Sequence, residues 1–203
     1  MQEFRVLRAV AAPMMLTDIN TDALAPVNPP ARRAGSHGDR LFASQRYDLA
    51  GNENPDFVLN QPKYRKCQIL VAGSNFGCGS SRETAVWSLA QFGIRCVIAP
   101  SFGDIFFDNA FQNGLLLVRL AAADVQRIAK ALEAANDPEI TVDLESCTIE
   151  TTGGLKFAFA VTPERRAALL AGESQLEMLQ RHLPAAEAFE RRAATRQPWL
   201  YGI

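Results

Sequence analysis

The sequence is short of the residues that build metal centres and disulfide frameworks. Its 203 residues include two histidines and four cysteines. Cys67, Cys78, Cys96 and Cys147 form no C-x-x-C pair and no zinc-like spacing, so a metal site made by this chain alone is not expected. The even cysteine count, in a chain of this size with no export pattern, reads as free thiols in a reducing, cytoplasmic compartment. No apolar run approaches the roughly 18–20 residues of a membrane span. Arg5 and Arg8 precede an apolar stretch from Val10 to Leu16 that imitates a signal peptide. Pro13 interrupts that stretch and no small-residue cleavage pattern follows, so a first strand is the better reading. A positive surplus is missing too. The 21 Lys and Arg face 22 Asp and Glu, which argues against a general nucleic-acid binder. What is present, 48% hydrophobic residues, suffices for a sizeable core and excludes global disorder. The length suits one domain.

Regular signals are sparse over residues 26–66, which Pro26, Pro29, Pro30, Gly35, Gly38, Gly51, Pro55 and Pro62 punctuate. So long an irregular stretch is usually functional or mobile. Arg32, Arg33, His37, Arg40 and Arg46 make it locally basic, as either a solvated loop or an anion-facing one. Beyond it the pattern becomes regular. A strand is expected over Gln68–Ala72, a helix from Thr84 to Phe92 ended by Gly93, and a buried strand at Cys96–Pro100. Strand, Gly-rich loop, helix, strand is a βαβ unit with a parallel pair. A short helix over 104–114 closed by Gly114, a third buried strand at Leu115–Val118 and a helix capped by Asp124 follow. Strands are expected at Ile140–Leu144, Thr148–Thr151 and Leu155–Val161, with Gly153-Gly154 as a hairpin turn. Thr162-Pro163 opens a helix that Gly172 stops, and residues 185–196 form a last polar helix.

The chemically informative segment runs Gly73-Ser74-Asn75-Phe76-Gly77-Cys78-Gly79-Ser80-Ser81-Arg82-Glu83. Gly77 and Gly79 let backbone approach a ligand closely. The loop feeds a helix N-terminus, where unpaired N–H groups favour an anion. Arg82 offers a planar fork matched to a carboxylate or phosphate. The spacing is neither a P-loop nor a G-x-G-x-x-G fingerprint, and no Lys follows, so a carboxylate is preferred over a nucleotide phosphate. The competing reading is structural: Ser80 or Ser81 caps the helix and Glu83 completes the cap. Both hold if one serine caps and the other faces a ligand. A lone serine is a poor base without an activator. The available candidates are the loop amides, the helix dipole and Arg82. A second motif, Asp18-Ile19-Asn20-Thr21-Asp22, reads either as an Asx-type turn or as an acidic group aimed at a site.

In order along the chain come Asp18-Ile19-Asn20-Thr21-Asp22, Asn54-Pro55-Asp56-Phe57-Val58-Leu59-Asn60 and Asn75-Phe76-Gly77-Cys78-Gly79-Ser80-Ser81-Arg82-Glu83. Val97-Ile98-Ala99-Pro100-Ser101-Phe102, Asp104-Ile105-Phe106 and Asn113-Gly114-Leu115-Leu116 follow. This set resembles the small subunits of the bacterial two-subunit 3-isopropylmalate dehydratases, in the aconitase superfamily. The likeness runs from about residue 5 to the C-terminal helix. It implies an α/β fold, the three-layer β/β/α swivelling domain, spanning 1–203 as one domain. An irregular substrate loop would lie at about 23–52 and a C-terminal helical extension at about 163–203. It implies a [4Fe-4S] cluster carried by a partner large subunit, with no ligand from this chain, acting as a Lewis acid on a dicarboxylate substrate. By resemblance Ser80 takes the place of the base and Asp22 falls on an active-site acid. Ser81 and Arg82 hold substrate carboxylate, Gly77 and Gly79 shape the backbone loop, and Arg32 or Arg33 supplies a further arginine. No nucleic-acid or membrane partner is expected.

Two departures separate the sequence from the family pattern. Thr84-Ala85-Val86-Trp87 stands where the family usually reads His-Ala-Pro-Trp. Ala25-Pro26-Val27-Asn28-Pro29 stands where it usually reads Ile-Pro-Lys-Gln-Phe. The expectation is thus a hydro-lyase subunit interconverting 2- and 3-isopropylmalate in leucine biosynthesis. The rivals are the same chemistry on citramalate or dimethylmalate, and a non-catalytic carboxylate-binding or partner-stabilising module.

Overall fold

The structure is a computed structural model that describes residues 1–29 and 35–200. Seven strands form one sheet in the order β4-β3-β2-β1-β5-β6-β7. They are β1 Val6–Met14, β2 Ile69–Ala72, β3 Cys96–Ala99, β4 Leu116–Arg119, β5 Glu139–Asp143, β6 Thr148–Thr151 and β7 Lys156–Ala158. β1 to β4 run parallel, while β5, β6 and β7 pair antiparallel from the other edge of β1.

The two halves follow from their sequences. β2 and β3 are unbroken apolar runs buried at every position, as strands covered on both faces must be. Leu70 and Val97 point into one core with Phe76 and Leu89. Ile69, Val71 and Ile98 point into the other, against Val125, Ile128, Ala129 and Leu132. Those four lie on one stripe of α6, Ala122–Ala134, at helical spacing. Burying each such Leu, Ile or Val contributes about 1.5–3 kcal/mol. β5 and β6 instead alternate buried and open positions, with Ile140, Val142 and Ile149 inward. α6 touches β1, β2, β3 and also β6, so the sheet curls around it. The mixed α/β architecture expected from the sequence is present, but as one curled seven-stranded sheet with α4 and α5 on one face and α6 on the other rather than as separate β, β and α layers.

Three local expectations are corrected, for the cap of α6, the last hairpin strand and the stretch after residue 35. β1 runs through Pro13 to Met14. Its pairing with β5 stops at Val10, and at Pro13 it is registered against Val71 of β2 alone, where a missing N–H is tolerated. α6 starts at Ala122 with Ala121 as its cap, so Asp124 sits in the first turn and bonds Arg127. The last hairpin strand is short, Lys156–Ala158, and Gly154 turns it at φ +81°. The stretch after residue 35 is not wholly irregular. It holds α2 His37–Arg40, with a Ser36–Asp39 capping box, and α3 Ala43–Arg46. Between them Leu41 and Phe42 are buried in the first core, and Phe42 sits at φ 51° to get there. Four-residue helices show no periodicity, so nothing in the sequence marks them.

Elsewhere the expected punctuation holds. α4, Thr84–Phe92, ends on Gly93 at φ 109°. α5, Asp104–Gln112, is followed by Gly114 at φ 74°. α7, Pro163–Ala171, is capped by Thr162 and stopped by Gly172. α8, Gln175–Gln180, and α9, Leu183–Arg196, follow, and α9 buries none of its residues. Among the described residues no helix is long and apolar enough to cross a membrane.

Candidate functional site

Parallel α/β sheets gather ligands at the carboxyl ends of their strands, and here three such ends converge. After β1 the chain reaches α1, Thr21–Leu24. After β2 comes the Gly-Ser loop, residues 73–83, and after β3 the turn into α5. Backbone bonds sew the three together. Gly73 N–H donates to Leu16 O (3.1 Å), Asp18 N–H to Ser74 O (2.9 Å) and Gly77 N–H to Ile19 O (2.7 Å). Thr21 N–H donates to Cys78 O (2.9 Å), Phe76 N–H to Ser101 O (3.1 Å) and Gly103 N–H to Phe76 O (3.0 Å).

An aromatic floor lies beneath. Phe76 meets Phe106 edge-on at 5.6 Å and Phe102 at 6.4 Å. Gly77 is a glycine for two reasons. Its φ is +75°, and a Cβ there would lie 2.2 Å from the Phe106 ring. The loop turns over that ring and brings Gly79, at φ +97°, past α1.

The side chains then form one small network. Ser80 Oγ lies 3.0 Å from Thr21 Oγ1 and accepts a hydrogen bond from Arg82 Nε at 3.0 Å. Arg82 Nη2 donates to Asp22 Oδ1, forming an ion pair whose guanidinium is largely covered and whose carboxylate is exposed. Ser80 and Ser81 are exposed. The amides of Gly79, Ser80, Ser81 and Arg82 donate to no other described residue, which leaves a run of free N–H groups beside a guanidinium. An oxygen base candidate, a cation and open amides suit an anionic substrate bearing an acidic C–H.

The structure brings Ser80, Arg82 and Asp22 together, with Gly77 and Gly79 supporting them and Ser81 next to them. Arg32 and Arg33 lie outside the described residues. Neither serine caps α4. The helix begins at Thr84, its cap position is Glu83 in helical geometry, and no side-chain cap bond is made. Glu83 instead accepts from Asn113 Nδ2 (2.9 Å), tying the start of α4 to the end of α5. The Asx reading of the Asp18–Asp22 motif is correct for Asn20, whose Oδ1 caps α1 through Ala23 N–H, while Asp22 accepts from Arg82.

Three residues were missed by sequence reasoning. Thr21 bonds Ser80 from within the Asp18–Asp22 motif, although they lie 59 positions apart in the chain. Asn75 donates from Nδ2 to Asp18 Oδ1 (2.7 Å), and Ser101 Oγ accepts from Asn75 N–H (2.8 Å). Asn75 sits at φ 60°, a conformation Asn tolerates, so Asn before Phe-Gly was a usable signal.

Burial pushes the Cys67 thiol up to about 12 and also raises that of Cys96. Cys78 lies in the Gly-Ser loop, half-buried and unpaired. Among the described residues no three His, Cys, Asp or Glu cluster closely enough to hold a metal ion.

Comparison with known proteins finds relatives along the full length of the chain. The profile of the aconitase C-terminal domain matches residues 36–123, and the LeuD_N profile matches residues 126–163. The 3-isopropylmalate dehydratase small subunit of Rhodospirillum centenum is 45% identical over 204 residues, covering all of both chains. The namesake from Afipia carboxidovorans is 44% identical over 202 residues, 98% of this chain and all of that one. Among solved structures, a 3-isopropylmalate dehydratase from Methanocaldococcus jannaschii superposes with a TM-score of 0.61 at 26% identity. It covers 90% of this chain and 99% of its own.

Proposed function

The chain belongs to the 3-isopropylmalate dehydratase small-subunit family, and from that premise we propose how its side-chain network works. With a large subunit it forms a hydro-lyase that converts 2-isopropylmalate to 3-isopropylmalate through isopropylmaleate, a step of leucine biosynthesis. Substrates such as citramalate or dimethylmalate, and a purely structural role, are not favoured by relatives that carry one common name along their full length.

The observation that carries the mechanism is the position of Ser80 Oγ between Arg82 Nε and Thr21 Oγ1. Ser80, as the alkoxide, takes the proton from the carbon beside a substrate carboxylate. The C–O bond to the neighbouring carbon breaks, the hydroxyl leaves as hydroxide to the Lewis acid that the large subunit would supply, and the double bond of isopropylmaleate forms. Hydroxide then adds to the carbon that lost the proton, and Ser80 returns its proton to the carbon that lost the hydroxyl, which leaves Ser80 as the alkoxide again. A cation donating to the oxygen favours its charged form. Of the five N–H donors of Arg82, one is spent on Ser80 and one on Asp22. Three are left for a carboxylate, with Ser81 and the free loop amides beside them. Asp22 holds the guanidinium in that orientation. The further substrate arginine, which resemblance assigns to Arg32 or Arg33 in the loop at about 23–52, falls outside the described residues. That loop, with Ala25–Pro29 in place of the usual family residues, is where substrate selectivity resides.

Polarisation of the departing hydroxyl would be supplied by a [4Fe-4S] cluster on the large subunit, a reading that the aconitase C-terminal domain profile supports. The working enzyme is a complex of this subunit, one swivelling domain with a helical extension at about 163–203, and its large partner in the cytoplasm.

The test is anaerobic co-expression with the large subunit and assay of hydration of isopropylmaleate and of citraconate. Hydration of isopropylmaleate well above citraconate is expected. An assembled, cluster-loaded complex inactive on both overturns the enzymatic reading, and preference for citraconate overturns the substrate.

A further inference from the structure

The Ser80 hydroxyl has a proton of its own, and its neighbours decide which way that proton points. Arg82 Nε is a donor only, so its bond to Ser80 Oγ runs from the guanidinium to the oxygen. Thr21 is 2% exposed, and among the described residues Ser80 Oγ is the one partner of its hydroxyl. If Ser80 donated to Thr21, the Thr21 hydrogen would be buried without an acceptor, which costs about 1–3 kcal/mol. The satisfied arrangement has Thr21 donating. Ser80 Oγ then accepts two hydrogen bonds, and its own proton is turned away from both donors, toward the open side of the loop.

We propose that Thr21 is a positioning residue for the dehydratase reaction, the second donor that aims the Ser80 proton outward and holds the oxygen once that proton has gone. This rests on Ser80 being the base. On losing its proton Ser80 keeps both donors in place, so charge develops without rearrangement. The backbone fixes the donor. Thr21 N–H is bound to Cys78 O at 2.9 Å, Asn20 caps the helix that Thr21 begins, and Gly79 brings the loop within 3.5 Å of Thr21 Oγ1, measured from where its Cβ would stand. The donor and the base thus sit on adjacent strand ends joined by the Asn20–Cys78 bridge.

The experiment uses the assembled two-subunit enzyme and compares Thr21→Val, Thr21→Ser and Ser80→Ala. Thr21→Val keeps the shape and deletes the donor. Its kcat should fall roughly 10- to 100-fold with KM little changed. The limb on which kcat rises with pH should move to higher pH, because a lost donor raises the pKa of the group that must be deprotonated. Thr21→Ser should restore most of the rate and the original limb. A Thr21→Val enzyme within twofold of the parent, or a Thr21→Ser enzyme as slow as Thr21→Val, overturns the proposal. If Thr21→Val fails to assemble, Thr21→Cys, a weak donor of similar size, is read by the same pH profile. An active Ser80→Ala enzyme would sink the base assignment itself; an inactive one beside a normal Thr21→Val enzyme sinks the Thr21 role alone.

Discussion

The parallel and antiparallel halves of the sheet share the strand β1 and differ in what their loops do. The loops after β1, β2 and β3 emerge on one side, because parallel strands end at the same edge, and they cross-bond into a site. The turn between β6 and β7 merely reverses the chain, with Gly154 in open space. Parallel pairing collects distant sequence in one place. Antiparallel pairing here joins neighbours and supplies a wall for α6. Glycines and ion pairs of similar appearance should therefore behave differently in the two halves.

The largest contrast is between two glycines with nearly equal φ. Gly77→Ala must pay for a left-handed alanine and for a Cβ driven into Phe106. We expect a loss of roughly 3 kcal/mol or more. Gly154→Ala meets no atom within 4 Å, so the backbone alone resists it, at about 1 kcal/mol. Urea melts of the isolated subunit measure both, and equal losses would break the comparison. Next come two arginine–carboxylate pairs. Asp22→Asn removes the charge that orients Arg82, and turnover of the complex should fall roughly tenfold or more, since hydrogen bonds to charged groups carry about 1.5–3 kcal/mol. Arg8→Ala breaks the exposed Arg8–Glu139 pair (2.7 Å) between β1 and β5, with stability changing by less than about 1 kcal/mol and turnover unaffected.

The smallest effect is one of pH. Asp143, at the end of β5, is held below the usual carboxylate range by hydrogen bonds from Ser146, first from its side chain and then its backbone, with help from Glu145 and Arg166. A carboxyl with a depressed folded pKa contributes stability that is present above its unfolded pKa and is lost as pH falls through the folded one. Asp143→Asn should therefore flatten the acid side of the stability profile slightly while leaving the pH dependence of turnover unchanged. Thermal melts between neutral and acid pH check it, and an unflattened acid side would show that the carboxylate does not contribute.

Much of the parallel half was legible in the sequence. The four-residue apolar runs of β2 and β3, the helix stop at Gly93 and the Gly-Ser loop all rest on local chemistry that one segment displays alone. The site's internal wiring was not. Thr21 with Ser80, and Asp18 with Asn75, meet only because β1 and β2 lie side by side, and strand order is a property of the whole core. The serine cap failed for a related reason. The loop spends Ser80 and Ser81 on the open side, and α4 begins three residues later, tied down by Glu83 and Asn113. The turns between 35 and 47 were hidden because Leu41 and Phe42 are placed by tertiary burial rather than by any period.

Proton abstraction by Ser80 is the central claim, and hydrogen exchange reads that step apart from overall turnover. In D2O the parent complex, with its large subunit, should wash deuterium into the substrate carbon beside the carboxylate. The assembled, cluster-loaded Ser80→Ala complex should bind substrate and leave that C–H unexchanged. Exchange at the parental rate in that variant would contradict the account.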